Sequence, residues 1–275
     1  MTEFGRRELS ELGTLVRAVA RTEVMPRLRK LGTGAVREKT GPLDLVTDAD
    51  EAAEVMLAQG LRRSFPGCAV IGEEAASAEP GLLGQIAGAG LAFIVDPIDG
   101  TANYAAGLPL FGMMIAVTRH SETVASLIHD PVGDDTAYAW LGGGAWLETA
   151  DGTDTPLRVG REMPLGAMTA MVSWRFMPEP RRSFVCRNLP RLAAAWDLRC
   201  AAHHYRMAAA GHCHALIYER LMPWDHAAGV LLHSEAGGYS ARLDGTPYSP
   251  AETQGGLICA PSEAAWQALR AGLFG

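Results

Sequence analysis

The chain alternates between stretches with helical spacing of apolar residues and short, continuous apolar runs. Residues 6–30 place Leu9, Leu12, Val16 and Val19 on one face, the three-and-four spacing of an amphipathic helix, with Pro26 expected to loosen its last turn. Gly32, Gly34, Gly41 and Pro42 then mark irregular chain, with Leu45-Val46 as one arm of a hairpin. A second helix is predicted over 48–64, where Ala53, Met56, Leu57, Gly60 and Leu61 form the apolar face and Pro66-Gly67 ends it. The pattern then changes. Residues 69–71, 91–95, 113–118, 123–129 and 136–141 are short apolar runs bounded by turn formers and read as strands. Gly142-Gly143-Gly144 makes a tight connection into 145–147.

The second half mixes both patterns. Strands are predicted over 167–174, 214–218 and 257–260, and helices over 180–189, 203–210, 224–235 and 262–269. Gly237-Gly238 supplies a helix stop and Ser262 a helix start. Strands with interleaved helices make the class α/β or α+β. Turns at Asp151-Gly152 and Thr155-Pro156 set an expected boundary between an N-terminal α+β lobe, residues 1–150, and a C-terminal α/β lobe, residues 151–275.

Composition narrows the picture. The 275 residues suit one large domain or two lobes sharing a core, and a hydrophobic fraction of 48% excludes extensive disorder. No apolar run approaches the roughly 18–20 residues a membrane helix needs, and Met1 to Arg7 is polar, so a soluble, cytoplasmic protein without a membrane partner is expected. Lys and Arg number 24 against 31 Asp and Glu, a net charge of −7. Such a chain has no electrostatic reason to follow a phosphate backbone, which argues against nucleic acid and points to cations as partners. Five cysteines, at 68, 186, 200, 213 and 259, form no C-x-x-C pair and read as free thiols.

The acids stand at informative places. The run 91–95 is apolar enough to be fully buried, and it delivers Asp96 off its end. Asp99-Gly100 then turns the chain, so Asp96, Asp99 and the Ile98 carbonyl can converge on one cation, with Pro97 expected to stop strand pairing. Thr101 can open a helix whose amide faces the same spot, which suits a phosphate. An ordinary Asp-Gly turn explains the same residues. Glu73 and Glu74 end the 69–71 run, either as a cation site or as one cap and one solvated acid. Asp225 lies in the first turn of a helix beginning at Pro223, where the helix dipole alone accounts for an acid. Thr47 and Asp50 form a capping-box pattern in an acid-rich segment. The group Cys200, His203, His204, His212, Cys213 and His214 fits no familiar zinc spacing.

Taken together, Asp44-Leu45-Val46-Thr47-Asp48-Ala49-Asp50, Ile71-Gly72-Glu73-Glu74, Ile94-Val95-Asp96-Pro97-Ile98-Asp99-Gly100-Thr101 and Pro223-Trp224-Asp225-His226-Ala227-Ala228-Gly229 resemble the inositol monophosphatase family of magnesium-dependent, lithium-sensitive phosphatases, in that family's order and over nearly the whole chain. The resemblance implies a layered α/β/α/β/α sandwich of the inositol monophosphatase and fructose-1,6-bisphosphatase type, with homodimers common. It implies two or three Mg2+ ions (Mn2+ being a possible substitute), held by Glu73, Asp96, the Ile98 carbonyl, Asp99 and Asp225. Glu74 would support a weaker third ion, Asp50 and Thr101 would orient and deprotonate the attacking water, and the Gly100 and Thr101 amides would bind phosphate. Lys39 stands where the family often has a lysine, and Glu219 matches an acid that contacts substrate hydroxyls.

The implied activity is hydrolysis of a small phosphorylated metabolite, inositol-1-phosphate-like or another sugar or polyol phosphate, by metal-activated water. Departures fall where the family reads its substrate. His204 stands near a position that is usually acidic, and residues 219–225 are one residue shorter than usual. His204 and Arg206 are therefore further substrate-binding candidates. Alternative substrates are 3′-phosphoadenosine 5′-phosphate, fructose 1,6-bisphosphate and histidinol phosphate. A regulatory protein retaining the fold is the alternative from another class.

Overall fold

The computed structural model describes residues 4–42 and 44–275. Helix α1 (Arg6–Val19) buries the predicted stripe of Leu9, Leu12, Val16 and Val19. The predicted helix continues only irregularly, as a wide π turn over Ala20–Val24 and a tight 3-10 turn over Met25–Arg27. Pro26 cannot donate back along the helix, and the loosening spreads ahead of it. Side chains take up the released carbonyls: Tyr104 Oη donates to the Val24 oxygen at 2.7 Å and Arg27 Nη1 to the Glu23 oxygen at 2.6 Å. Strands β1 (Val36–Gly41) and β2 (Asp44–Thr47) form an antiparallel hairpin that leads directly into α2 (Asp48–Ser64).

A seven-stranded sheet follows, in the order β3 (Ala69–Gly72), β4 (Ala92–Asp99), β5 (Gly112–Arg119), β6 (Glu122–Asp130), β7 (Asp135–Trp140), β8 (Gly144–Glu148) and β9 (Asp154–Pro156). The β3–β4 pair is parallel and the other pairs are antiparallel. Short helices α3 (Glu73–Ala78), α4 (Gln85–Gly88) and α5 (Thr101–Ala105) lie in its connections. A second sheet comprises β10 (Thr169–Val172), β11 (Ala194–Trp196), β12 (Ala215–Tyr218), β13 (Tyr239–Arg242) and β14 (Leu257–Ala260), in the order β11-β10-β12-β14-β13. Between these strands run α6 (Arg181–Asn188), α7 (Ala201–Ala209) and α8 (Pro223–Glu235), and α9 (Glu263–Leu273) ends the chain.

Alternation along β4 shows how the layers stack. Phe93 and Val95 face a core shared with α1 and α2, whereas Ala92 and Ile94 face a core shared with Tyr205 of α7 and Ala227, Ala228 and Leu231 of α8. Met171, Leu216 and Cys259 of the second sheet close that middle core from the other side. The sheet's outer residues, Ala170, Val172, Ile217 and Ile258, pack on Val185 of α6 and Trp266 and Leu269 of α9. The result is a layered α/β/α/β/α sandwich. Thr155-Pro156, expected as a turn, instead belongs to the edge strand β9, where a proline is tolerated because the outer side needs no donor. No helix among the described residues is long and apolar enough to cross a membrane.

The middle layer contains a buried histidine with a measurable consequence. His233 of α8 is 1% exposed, and its Nδ1 lies 3.0 Å from Ser240 Oγ. Burial lowers its pKa to about 4. On acidification the unfolded chain therefore takes up this proton first, so the stability it lends is full above about pH 6.5 and is lost as pH falls toward 4. Between pH 7.5 and pH 5 the wild type should lose about 2 kcal/mol that His233→Gln does not lose, read as the difference between their urea-unfolding free energies at the two values. Parallel pH profiles for the two proteins would contradict this.

Candidate active site

Strand β4 is buried along its whole length, and it carries Asp96 and Asp99 into the interior. In a regular strand, residues three apart point to opposite faces. Here the pairing jumps from Asp96↔Met114 to Asp99↔Gly112, so one extra residue is accommodated in a bulge around Pro97. The bulge turns both acids to the same side. Pairing thus resumes beyond Pro97, which corrects the expectation that the proline ends it: an unpaired bulge position needs no amide donor. Gly100 follows at φ +88, a conformation that favours glycine, and a Cβ there would stand 3.0 Å from the Leu110 carbonyl oxygen and 3.1 Å from Cys200 Cβ.

Asp225, in the first turn of α8, completes the group. Carboxylate oxygens of Asp96, Asp99 and Asp225 all lie within 4.8 Å of one another, the one such set of potential ligands among the described residues. Burial, then the charges of Glu73 and Asp99, raise the Asp96 pKa well above the ordinary carboxylate range. Burial, then Asp99 and Glu73, do the same for Asp225. Such a set is electrostatically incomplete, and oxygen donors at this spacing fit a hard divalent cation. Asp99 is partly served from within: the Ala202 amide donates to its Oδ2 at 2.6 Å and the Cys200 thiol at 3.0 Å.

Glu73 opens α3 beside this group. Lys39 Nζ, from β1, lies 2.7 Å from Glu73 Oε1 and 3.1 Å from Glu74 Oε1. Burial alone would lower the lysine's pKa, but the two glutamates hold it above its ordinary value. Glu74 is pushed up to about 8 by burial and by Glu73. Sequence reasoning missed the residue that fixes this corner. Both oxygens of Glu54, on the buried face of α2, accept amides at the start of α3, from Glu74 and Ala75 at 2.8 Å each. An acid on the buried stripe of α2 was the available signal. Gly72 makes room for it, since a Cβ there would meet the Glu54 carboxyl at 2.1 Å.

Asp50 is fully buried, caps α2 as the sequence pattern suggested, and also reaches Thr101. Its Oδ2 accepts the Thr47 amide at 2.9 Å, completing the capping box of α2, while Oδ1 lies 3.1 Å from Thr101 Oγ1. Burial lifts its pKa to about 7 against the hydrogen bonds from Thr47 and Thr101. Thr101 Oγ1 also lies 3.0 Å from the Ile98 carbonyl, so its single proton can serve only one acceptor at a time.

The cavity at these acids is lined by Glu73, Asp96, Ile98, Asp99, Gly100, Thr101 and Asp225, together with His204 and Glu219. His204 Nε2 lies 3.0 Å from the Leu198 amide and Nδ1 3.1 Å from the Tyr218 hydroxyl, which leaves neither nitrogen free. Glu219 Oε1 pairs with Arg181, while Oε2 is buried without a partner. Arg206 is not brought here. It donates to the Ile128 carbonyl at 3.2 Å and pairs with Asp135, because its turn of α7 faces the seven-stranded sheet. Of the His and Cys group, His203 is bound to the Phe111 carbonyl and His214 to Thr169, each at a separate place. Sequence reasoning also missed Arg175, Arg199 and Arg220, all of which line the cavity.

Converging carboxylates, two buried and one partly so, beside a glycine turn and a Thr–Asp pair place the protein among α/β hydrolytic enzymes whose donor set suits divalent cations. The sequence profile of the inositol monophosphatase family matches residues 7–274. The chain is 30% identical over 230 residues to the inositol-1-monophosphatase of Bacillus subtilis (strain 168), covering 82% of this chain and 83% of that one. It is 32% identical over 228 residues to the inositol-1-monophosphatase of Rhizobium meliloti (strain 1021), covering 80% and 79%. The solved structure of a Thermotoga maritima IMPase superimposes with a TM-score of 0.79 at 25% identity, covering 96% of both chains. The chain belongs to the inositol monophosphatase family, and by class it is a phosphatase.

The electrostatics predict a reversal of stability order. Without divalent ions, Asp225→Asn should melt at or above the wild-type temperature, because it removes one of the mutually repelling acids. Magnesium at about a hundredfold excess over its Kd stabilises by about 2.7 kcal/mol, which should raise the wild-type Tm by about 5–10 °C and the variant's by less than half as much. A wild-type Tm indifferent to magnesium would contradict the ligand set.

Proposed function

We propose that the protein is a magnesium-dependent phosphomonoesterase that hydrolyses a small phosphorylated metabolite by direct attack of water. The observation that carries this reading is the convergence of Asp96, Asp99 and Asp225 within 4.8 Å, next to the Thr101–Asp50 contact. Glu73, Asp96 and the Ile98 carbonyl would hold one Mg2+ or Mn2+ ion, and Asp96, Asp99 and Asp225 a second, with Glu74 beside a weaker third. Bound there, the cations supply Lewis acidity, polarising the phosphoryl oxygens and lowering the pKa of water.

The chain's own groups do the rest. The Gly100 and Thr101 amides orient the phosphate. Thr101 Oγ1 passes its proton to Asp50 Oδ1 and accepts one from the attacking water, whose oxygen forms the new bond to phosphorus. The ester oxygen opposite departs with the bonding electrons and takes a proton from solvent to leave as the alcohol, and Asp50 returns its proton to solvent to close the cycle. An Asp50 carboxyl with a pKa of about 7 can both accept and return that proton near neutrality. Cys200 lines the cavity, but its thiol is engaged with Asp99, and burial and the charge of Asp99 raise its pKa well above the ordinary thiol value, which disfavours it as a nucleophile. In this reading water is the attacking group, without a phosphoenzyme.

Purified protein with magnesium should release phosphate from at least one ester in a panel of sugar, inositol, nucleotide and amino-alcohol phosphates. Asp96→Asn should abolish release while the circular dichroism spectrum is retained. Thr101→Ala should lower kcat by about 100-fold, the scale of a lost proton relay, and Thr101→Ser should restore most of it. Full activity in Asp96→Asn would overturn the metal assignment, and a silent panel the phosphatase reading.

A further inference from the structure

The second sheet gives the cavity a wall of opposite charge. Strands β10, β11 and β12 are adjacent and parallel, so their carboxyl ends share one edge, the place where open α/β sheets present ligand-binding groups. Each delivers an arginine just past its end: Arg175 after Val172, Arg199 after Trp196 and Arg220 after Tyr218. All three line the same cavity as the acids.

Among the described residues none of the three forms an ion pair, although the charges of Asp197 and Asp99 act on Arg175 and that of Arg220 acts on Asp225. Arg175 and Arg220 lie over the same ring, with their guanidinium carbons 4.8 and 5.1 Å from the Phe176 centroid. Arg175 Nε is buried without a hydrogen-bond partner. Burial depresses the Arg175 pKa; the charge of Asp197 opposes that shift, and the charges of Arg199 and Arg220 add to it. Two guanidiniums held against one phenyl ring, with the charge of Arg199 also acting on Arg175, concentrate positive charge that a bound anion would offset. Glu219, the acid nearest these arginines in sequence, lines the cavity; its Oε1 is already paired with Arg181, and its Oε2 is a buried acceptor without a partner.

We propose that Arg175, Arg199 and Arg220 form a second anion subsite, so that the substrate is a polyhydroxylated phosphate ester carrying another anionic group, phosphate or carboxylate, at its far end. This rests on the phosphatase reading for the near end only. Arginine forks match the planar or tetrahedral oxygens of such groups, and the hydroxylated middle of the molecule would reach Glu219.

The test compares D-fructose 1,6-bisphosphate, 6-phosphogluconate and glycerol 2-phosphate as substrates with magnesium present. At least one doubly anionic ester should exceed glycerol 2-phosphate tenfold or more in kcat/KM, and the better of the two identifies phosphate or carboxylate as the preferred far group. In Arg175→Gln/Arg220→Gln that advantage should collapse at least tenfold, with the loss in KM. Binding is measured separately by calorimetry in the turnover-blocked Asp96→Asn protein. The preferred doubly anionic ester should bind at least tenfold tighter than glycerol 2-phosphate, and the arginine substitutions should erase the difference. Equal turnover and equal binding of all three esters would overturn the subsite while leaving the phosphatase reading intact. A silent turnover panel with preferential, arginine-dependent binding would overturn the phosphatase reading and leave the subsite standing.

Discussion

Asp96, Asp99 and Asp225 crowd one corner of the cavity with mutually repelling charge, and Glu73 adds to it. Moving a carboxylate out of water costs several kcal/mol even after relaxation, and a second one beside it raises the cost. Lys39 offsets part of the charge through Glu73 and Glu74, and the Ala202 amide and Cys200 thiol serve Asp99. Nothing on the described chain pairs Asp96 with a cation; its Oδ1 accepts only the Ile98 amide, at 3.0 Å. The rest of the molecule reads as the scaffold needed to keep these groups together against their own repulsion. Strand β4 is clamped by cores on both faces, so Asp96 cannot swing out to water without unpacking Ile94 and Val95.

The same rigidity appears at α8, which brings Asp225 from the far half of the chain. Gly229 lies against Tyr205 so closely that a Cβ there would stand 2.0 Å from the ring. Small residues let α8 approach α7 and the sheet, and that approach sets where Asp225 ends. The helix dipole explains why an acid is comfortable in the first turn, but tight packing explains why it arrives within reach of Asp96 and Asp99.

Much of this was legible in the residues. Apolar runs ending in acids located β3 and β4 and their carboxylates, because a fully buried strand leaves a strong hydrophobic signature. The short edge strands β9, β11 and β13 left none: Asp154-Thr155-Pro156 is wholly exposed and owes its strand conformation to β8 alone. Arg206 was misplaced because residue type says nothing about which face of α7 a side chain takes. Glu54 and the three cavity arginines were missed for a related reason. Their significance depends on which strand ends and helix faces meet, and Arg175, Arg199 and Arg220 are separated by 24 and 21 residues, so only the parallel pairing of β10, β11 and β12 unites them.

The two walls of the cavity are not set independently. His226 follows Asp225 and is 2% exposed, and burial lowers its pKa to about 3, so the ring is neutral at physiological pH. Its Nε2 lies 2.9 Å from the Arg220 carbonyl, an obligate acceptor, so Nε2 carries the proton. Nδ1 is then left to accept from the Tyr205 hydroxyl at 3.0 Å. One imidazole thereby ties the backbone that presents Arg220 to the helix turn that presents Asp225, with Tyr205 of α7 holding the ring in place. A shift of α8 that relaxed the acids would drag Arg220 with it. The distance between the cationic and anionic walls is therefore a property of the packed middle layer, and any ligand spanning the cavity meets both walls at a spacing fixed before it arrives.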